Sequence, residues 1–593
     1  MNTKSTWLWW VVAAGLLASI LIRERYVIPP AGAARLVLPG LQPASVTRLQ
    51  VIPAGALEIR AHRTNHSWQL SKPLEYPAQP AAIEALLAAL QKLAPATRIS
   101  AGELREHPAA ATDFGFDAPQ LSLVVESGDQ RWQLLVGNKT PPGDQVFLRV
   151  VGVDGAFVTD VEWLKFVPRS PNDWRSTALV ASDAGTCDAI VLTNDTKVIE
   201  LRRDAARRPW RMIRPLQARA DSDRITEALQ QLQSAGVMRF VTEEAGADLA
   251  MFGLQPPDLS LWLRSGTNAL SALDAGKAVT NDSAQVYANR KGYTPVVAAP
   301  REALAFWYGA VNDFRDLHLL SLTDPVTEIE VRGPDGFILK RQGTNGWSLA
   351  GESFPADADS VQLFLKVLGG LRVAGFVKDV VTAPDLAAYG LAPPQREIFV
   401  RTASGGTNVL SAQLAFAVQT NGIFVRRADE DFIYALSPED FNRLPESSWE
   451  FRERRLWRFT EGEVVQITLR QSGRTRTLLH NGPNKWSLAP GSQGIINPEA
   501  LEETAHRLGS LAATGWVGRH VTAPEKFGLN PENLEISIEL KGGEKLSVNF
   551  GAEIAGQTAL AAVTLAGERW AFVFPATLYQ FVLAYLTVPA SVR

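Results

Sequence analysis

Thr344-Asn345-Gly346-Trp347-Ser348-Leu349 opens the stretch that decides the fold, and Tyr389-Gly390-Leu391-Ala392-Pro393-Pro394 closes it. Between them runs Asp359-Ser360-Val361-Gln362-Leu363-Phe364-Leu365-Lys366-Val367-Leu368, apolar at helical spacing. The same succession occurs four times. Trp68, Trp210, Trp347 and Trp486 lie 142, 137 and 139 residues apart, and Gly115, Gly253, Gly390 and Gly528 lie 138, 137 and 138 apart. Two independent landmarks that keep one period mark a repeat. A period far above the roughly 20–50 residues of solenoids marks a tandem array of domain-sized units.

Each unit carries one amphipathic helix after its tryptophan. The apolar positions are Ile83, Leu86, Leu87 and Leu90, then Ile225, Ala228, Leu229 and Leu232, then Val361, Phe364, Leu365 and Leu368. The fourth set is Leu501, Ala505 and Leu508, with Thr504 on the same stripe. This i, i+3, i+4, i+7 spacing predicts one buried face. Asp359 and Asn497 are the expected N-caps, with Pro498 at the first helical position. A second, shorter helix ends at each repeated glycine. Thr382 with Asp385, and Thr522 with Glu525, have capping-box spacing. Phe114-Gly115-Phe116, Phe252-Gly253-Leu254, Tyr389-Gly390-Leu391 and Phe527-Gly528-Leu529 read as left-handed helix caps, not phosphate loops.

Strands flank these helices. Leu121, Leu123 and Val125 alternate, as do Leu259, Leu261 and Leu263, Ile398 and Val400, and Leu534, Ile536 and Ile538. A following strand meets a glycine at Gly137 and Gly551, which the third unit lacks. Two strands precede each tryptophan, for example 326–331 and 337–341. The predicted order is strands, helix, short helix, strands, final helix. The fold class is therefore α+β: four tandem repeats of mainly antiparallel sheet packed with helices, preceded by one N-terminal transmembrane helix.

The Trp-Ser-Leu strand, the helix and the Tyr-Gly-Leu-x-Pro-Pro cap resemble the bacterial family called domain of unknown function 4340, through roughly residues 46–588. Phe116 stands where that family usually has leucine. The resemblance implies a membrane-anchored protein of the bacterial envelope, of a kind linked to gliding-motility-type ABC transport systems. The family has no agreed catalytic residues, so it assigns no site residue here.

The chain has 593 residues, 46% hydrophobic and 20% charged, with a net charge of −3. No basic surplus exists to hold nucleic acid non-specifically. Trp7 to Ile22 is free of charge and is followed by Arg23-Glu24-Arg25. At 16 residues the run is near the short end for a membrane helix, with Trp7, Trp9 and Trp10 at the interface. Ala31-Gly32-Ala33 resembles a signal-peptide cleavage site but lies well beyond the apolar run, which favours an uncleaved anchor. Lys4 and the terminal amine face Arg23 and Arg25 across the run, a near tie, so charge leaves the orientation open. The family resemblance implies a single-pass inner-membrane protein with its bulk periplasmic. The expected layout is anchor 1–25, Pro-rich tether 26–45, and repeats at 46–183, 184–322, 323–459 and 460–593.

Asp173-Trp174-Arg175, Asp313-Phe314-Arg315 and Glu450-Phe451-Arg452 recur only between units. They read either as an inter-domain seam or as a turn leading into a strand with a surface arginine. The basic cluster Arg452, Arg454, Arg455 and Arg458 around Glu453 and Trp457 reads as a salt-bridged seam in preference to a phosphate or lipid-head site.

The sequence contains no Walker A, G-x-S-x-G, G-x-G-x-x-G or H-E-x-x-H pattern. Its seven histidines, His62, His66, His107, His318, His480, His506 and His520, share no repeat position and no metal spacing. Cys187 reads as a small buried hydrophobe. Glu243-Glu244 and Asp429-Glu430-Asp431 read as solvated loop charges. The repeated tryptophans read as core and not as a carbohydrate platform. No catalytic, cofactor or metal residue is expected.

Two functions remain. One is a non-catalytic, membrane-anchored scaffold or auxiliary binding component with protein partners. The other is an envelope enzyme, such as a glycan hydrolase with an unmotifed carboxylate site. An enzyme should show one unit enriched in convergent polar residues.

Overall fold

The computed structural model describes residues 36–587 apart from 65–66, 108, 181–185, 196, 205–208, 344–345, 405–406 and 555–557. The expected anchor at 1–25 lies outside the described residues, and none of the described helices is long and apolar enough to cross a membrane. The chain forms two compact units, the first ending at Arg315 and the second beginning at Asp316. Each contains two antiparallel sheets, nine-stranded in the first unit and eight-stranded in the second.

All four sheets have one strand order. In the third repeat, strands Val326–Arg332, Phe337–Gln342 and Gly346–Leu349 form a meander. Helix Ala358–Gly370 follows, and strand Val373–Lys378 then crosses to the far edge. After the short helix Ala383–Ala388, a second meander runs through Arg396–Ser404, Thr407–Gln419, Gly422–Arg427 and Ile433–Leu436. Its first strand pairs with Val326–Arg332 and its last with Val373–Lys378.

The crossing strand is absent from the sequence reading. Its counterparts are Pro95–Ile99, Arg239–Thr242 and Gly515–Gly518, and all four slip register against their neighbour. Short, bulged strands do not show a clean period of two, so the pattern hides them.

The helix faces match their spacing at most positions. Ile83, Leu86, Leu87 and Leu90 are buried, as are Ile225, Ala228, Leu229 and Leu232, and Leu501, Thr504, Ala505 and Leu508. In the third repeat Val367 is buried where Leu365 was expected. That helix starts earlier than expected: Asp357 is the N-cap, accepting from Ser360 N at 2.7 Å, and Asp359 lies inside the first turn. Asn497 caps the fourth helix, with Pro498 following. Residues 36–45, read as the end of a tether, instead join the first core: Val37, Leu38 and Leu41 are buried, and Val37 N donates to Leu93 O at 2.9 Å.

The four tryptophans are buried, at 2, 1, 6 and 6% exposure, which places them in the cores. Each faces a basic side chain across the hairpin. Arg63 and Arg203 lie over Trp68 and Trp210 at 4.6 and 4.7 Å, His480 lies 4.5 Å from Trp486, and Arg341 registers with Trp347. The Arg63 and Arg203 guanidinium groups over their indole faces are attracted by the ring quadrupole. Trp68 and Trp486 also donate to Glu84 and Glu502, at 2.8 and 2.7 Å.

The repeated glycines are helix caps at φ of 72°, 69°, 71° and 64°. In every copy the next residue donates to the carbonyl five residues back: Phe116 to Ala111, Leu254 to Leu249, Leu391 to Leu386 and Leu529 to Pro524. That bond defines the Schellman cap. The Thr382–Asp385 box forms, with Asp385 accepting from Thr382 N at 2.8 Å. Hydrogen bonding from Lys378 above all, and then from Thr382, holds the Asp385 carboxyl down at about 2. The expected Thr522–Glu525 box does not form. The helix there is a single turn, Pro524–Phe527, with Ala523 at its N-cap.

The structure also explains the glycine missing from the third repeat. A Cβ at Gly137, Gly276 or Gly551 would overlap the carbonyl oxygen of Phe114, Phe252 or Phe527, just before the cap glycine. In those copies the long strand is bulged beside the glycine. Ala417 takes the position in the third repeat, where the ladder runs without a break from Leu414 to Gln419. The glycine is needed only where the bulge presses the strand against the cap.

Gly551→Ala is therefore expected to cost about 1–3 kcal/mol, the usual range for overpacking, whereas Ala417→Gly costs only about 0.5–1 kcal/mol of backbone entropy. Urea unfolding compares them, and equal losses would refute the bulge argument. Trp347→Ala is expected to cost about 3–5 kcal/mol by cavity formation; unchanged unfolding would make that tryptophan a surface platform.

Candidate functional site: the seams and the open seat of the fourth repeat

The Asp/Glu-aromatic-Arg junctions form strand-like bridges that hydrogen-bond on two sides. In the first unit, Gln79 N donates to Trp174 O at 2.7 Å and Ser176 N to Pro77 O at 2.8 Å. On the other side, Val237 N donates to Thr177 O at 2.6 Å. One linker thus joins the edge of the first sheet to the strand-leading segment of the second. Trp174 belongs to the first core, and Arg175, 1% exposed, reaches into the second repeat. Its guanidinium pairs with Glu243, also donates to Asn172 Oδ1 at 2.7 Å, and lies 4.9 Å from the Phe240 ring. Tyr76 meets Phe240 and Tyr293 edge-on at 5.5 and 5.3 Å, and burial pushes its phenol pKa up. Arg290 covers Tyr76 and Tyr293 and donates to Ala178 O at 3.3 Å.

The second unit repeats the plan with exchanged charges. Asp357 N donates to Phe451 O at 2.7 Å, Glu453 N to Pro355 O at 3.0 Å, and Leu456 N to Leu511 O at 2.8 Å. Arg452 lies 4.3 Å from Trp570 and 4.9 Å from Phe354, and its carbonyl accepts from Trp516 Nε1. Arg519, three residues after Trp516 as Glu243 is after Phe240, bridges Glu352 at 2.8 Å and Glu568 at 3.1 Å. Arg454 pairs with Asp357 at 3.2 Å, and Arg458 with Glu453 at 2.5 Å. The salt-bridged reading holds for Arg454 and Arg458, while Arg452 stacks on aromatic rings and Arg455 donates to Trp457 O; the surface-arginine reading fails for Arg175.

Two acidic loops are corrected. Glu243 is the partner of buried Arg175, whose hydrogen bond holds its carboxyl below the usual range. Glu430 accepts from Tyr434 Oη at 2.7 Å and lies 3.4 Å from Arg427, so it is not a solvated charge. Asp429 pairs with Arg427 at 2.7 Å, while Asp431 stays exposed beside Arg426. Sequence could not couple Glu243 to Arg175, 68 residues earlier.

The described histidines do not converge. His318, His480, His506 and His520 face Asp316, Glu502, Glu461 and Glu568. His62 lies on strand Ile59–Thr64, and His66 is outside the described residues. No group of three or more metal-ligating side chains occurs among the described residues. Cys187 is buried, donates to Ala189 O at 3.3 Å, and has its thiol pKa pushed up by burial.

The fourth repeat holds an open cavity of about 900 Å³ between Leu469, Arg474, Arg476, Leu534, Leu583 and Thr587. Register places Arg476 opposite Leu469, just as Phe337 lies opposite Val331 in the third repeat. The same position is Ile59 in the first repeat and Ile199 in the second. Arg476 is 5% exposed and donates to the carbonyls of Leu586, Thr587 and Ile495 at 3.0, 2.9 and 2.8 Å. Burial lowers its pKa, and no carboxylate pairs with it among the described residues. The lining carries arginine, hydroxyl, amide and leucine side chains, without a carboxylate or histidine that could act as a base.

No curated protein matches the chain. Among solved structures, a DNA polymerase sliding clamp from Pseudomonas aeruginosa, crystallised with a ligand, aligns with 69% of this chain and 94% of that chain. Identity is 10% and the TM-score 0.13, which carries no argument about fold or function. One family model matches residues 68–209, 210–394 and 347–532, and its matches open on Trp68, Trp210 and Trp347. The chain belongs to the family described as Domain of unknown function (DUF4340), present here in tandem.

Proposed function

We propose that this chain is a non-catalytic, membrane-anchored protein of the bacterial envelope that acts as a scaffold or auxiliary binding component, in the setting of a gliding-type ABC transport system. Its apolar run Trp7 to Ile22 would hold it in the inner membrane as a single pass, with the repeats on the periplasmic side and protein partners around them. The observation that carries the reading is the seam. Arginines, carboxylates and aromatics that could have formed a reactive cluster are spent on joining repeats, in two versions of one design. The fourth-repeat cavity carries Arg476 where the other repeats have isoleucine or phenylalanine, and its lining suits binding better than acid–base work.

Removing residues 1–25 is expected to release a folded, soluble chain that keeps its partner's affinity and loses co-localisation, because tethering supplies effective concentration and not contacts. Retention in the membrane pellet after an alkaline wash would show another membrane element. Unaided turnover of an envelope glycan would make the protein an enzyme.

The seam has its own test. Glu243→Gln keeps shape but weakens a charged hydrogen bond to buried Arg175, so the first unit is expected to lose about 1–3 kcal/mol near neutral pH. The Glu243 carboxyl is held below its unfolded value, so its contribution is present above the ordinary carboxylate range and is lost as pH falls through the folded value. Wild-type and variant stabilities should converge on acidification; a gap that persists at low pH would mean the pair is not what Glu243 supplies.

A further inference from the structure

We infer that the open cavity of the fourth repeat is a docking seat for an extended segment of a partner protein that carries an acidic residue followed by an aromatic one. The inference rests on the scaffold reading and gives it a partner chemistry.

The first three repeats show what this seat takes. In the third, the segment ahead of the junction crosses the hairpin: Ser447 Oγ donates to Asp335 at 3.2 Å and Ser448 Oγ to Glu352 at 2.9 Å. Phe451 then seats against Phe337 and Phe364 at 5.2 and 5.5 Å. Trp174 and Phe314 hold the same junction position in the first and second repeats, and both are buried. An acidic residue precedes each aromatic: Asp173, Asp313 and Glu450.

In the fourth repeat the corresponding wall is open. Arg476 takes the place of Phe337, and Gly491, five residues after Trp486, the place of Glu352, five after Trp347. Both line the cavity. The Gln79, Asp221 and Asp357 N–H groups donate to the carbonyls of Trp174, Phe314 and Phe451, whereas the matching Asn497 N–H has no protein acceptor among the described residues. Beside it Ile495 is 96% exposed, the most exposed large apolar side chain described. A volume of about 900 Å³ suits several residues of peptide, and pockets of roughly 300–1,000 Å³ are the ligand-binding range. The Asn497 N–H offers an incoming backbone a hydrogen bond, and Leu469, Leu534 and Leu583 offer its aromatic residue an apolar anchor.

Charge decides between occupants. Three repeats line the seat with isoleucine or phenylalanine, and the fourth alone substitutes a buried arginine, with Arg474 at the mouth. Neither has a carboxylate partner among the described residues. A buried cation without a counter-charge favours an incoming carboxylate, which makes the acidic-aromatic pair the fitting ligand. Val588-Pro589-Ala590-Ser591-Val592-Arg593 contains neither residue type.

The probe is a fluorescein-labelled peptide copying residues 445–455, titrated into the full chain and read by anisotropy. Saturable binding is expected. Phe451→Ala or Glu450→Gln in the peptide should weaken it about tenfold or more, the effect of losing one anchor. Thr475→Trp, which fills the cavity from an exposed strand position, should abolish binding without changing thermal unfolding. Arg476→Leu restores the apolar wall of the other repeats and should remove the preference for Glu450 while the chain stays folded. Three results would overturn the proposal: no saturable binding, binding indifferent to Thr475→Trp, or binding that emerges only in a chain cut after Thr587. The last would assign the seat to residues 588–593. None of the three bears on the scaffold reading, which stands or falls on turnover.

Discussion

The junction arginine and its neighbours are the constraint on which the paired repeats depend. A linker between two domains ordinarily leaves them free to move, because few contacts cross it. Here the linker is itself a strand with partners on both sides. Its aromatic residue completes the repeat behind, and its arginine enters the repeat ahead. Burying a guanidinium is costly unless its charge is matched, and the seam inside each unit matches it. Arg175 takes Glu243, while Arg452 takes the faces of Phe354 and Trp570, with Arg519 clamped between Glu352 and Glu568 nearby. Two chemically different solutions at one position show that matching is required and that the identity of the match is free.

That freedom explains what was legible in the sequence. Features set by local chain geometry could be read directly. The helix stripes, the cap glycines and the buried tryptophans depend on spacing within a few residues. The third helix shows the limit of such reading: Asp357 and Asp359 are both acceptable caps, and the extended backbone at Asp357, which follows the Ala356–Arg452 bridge, is what lets Asp357 accept from Ser360 N. Features set by register across the sheet could not be read. Arg63, Arg203, Arg341 and His480 all oppose a tryptophan, yet they differ in type and in distance along the chain. Glu243 looked like a loop charge because its partner lies in another repeat.

The repeated design also tolerates local compromise. Trp68 and Trp486 satisfy their indole N–H with a glutamate on the helix, and Trp210 does not, for Thr226 stands at the same distance along the chain. Its buried N–H has no acceptor among the described residues. A buried unpaired donor costs about 1–3 kcal/mol, which the stacking of Arg203 over the ring offsets in part. The repeats therefore share geometry more strictly than they share polar partners.

The same contrast gives the fourth repeat its interest. An arginine at position 476 makes little sense as core filling, since isoleucine or phenylalanine serves in the other three repeats at no electrostatic cost. Its hydrogen bonds run to three carbonyls of the segments that border the cavity, so it holds the rim of the seat in place while its charge stays unmatched. Carbonyl oxygens solvate a guanidinium but do not neutralise it. A position that trades packing for an unneutralised charge beside an open cavity is organised around something that arrives from outside, and the chemistry required of it is an acid.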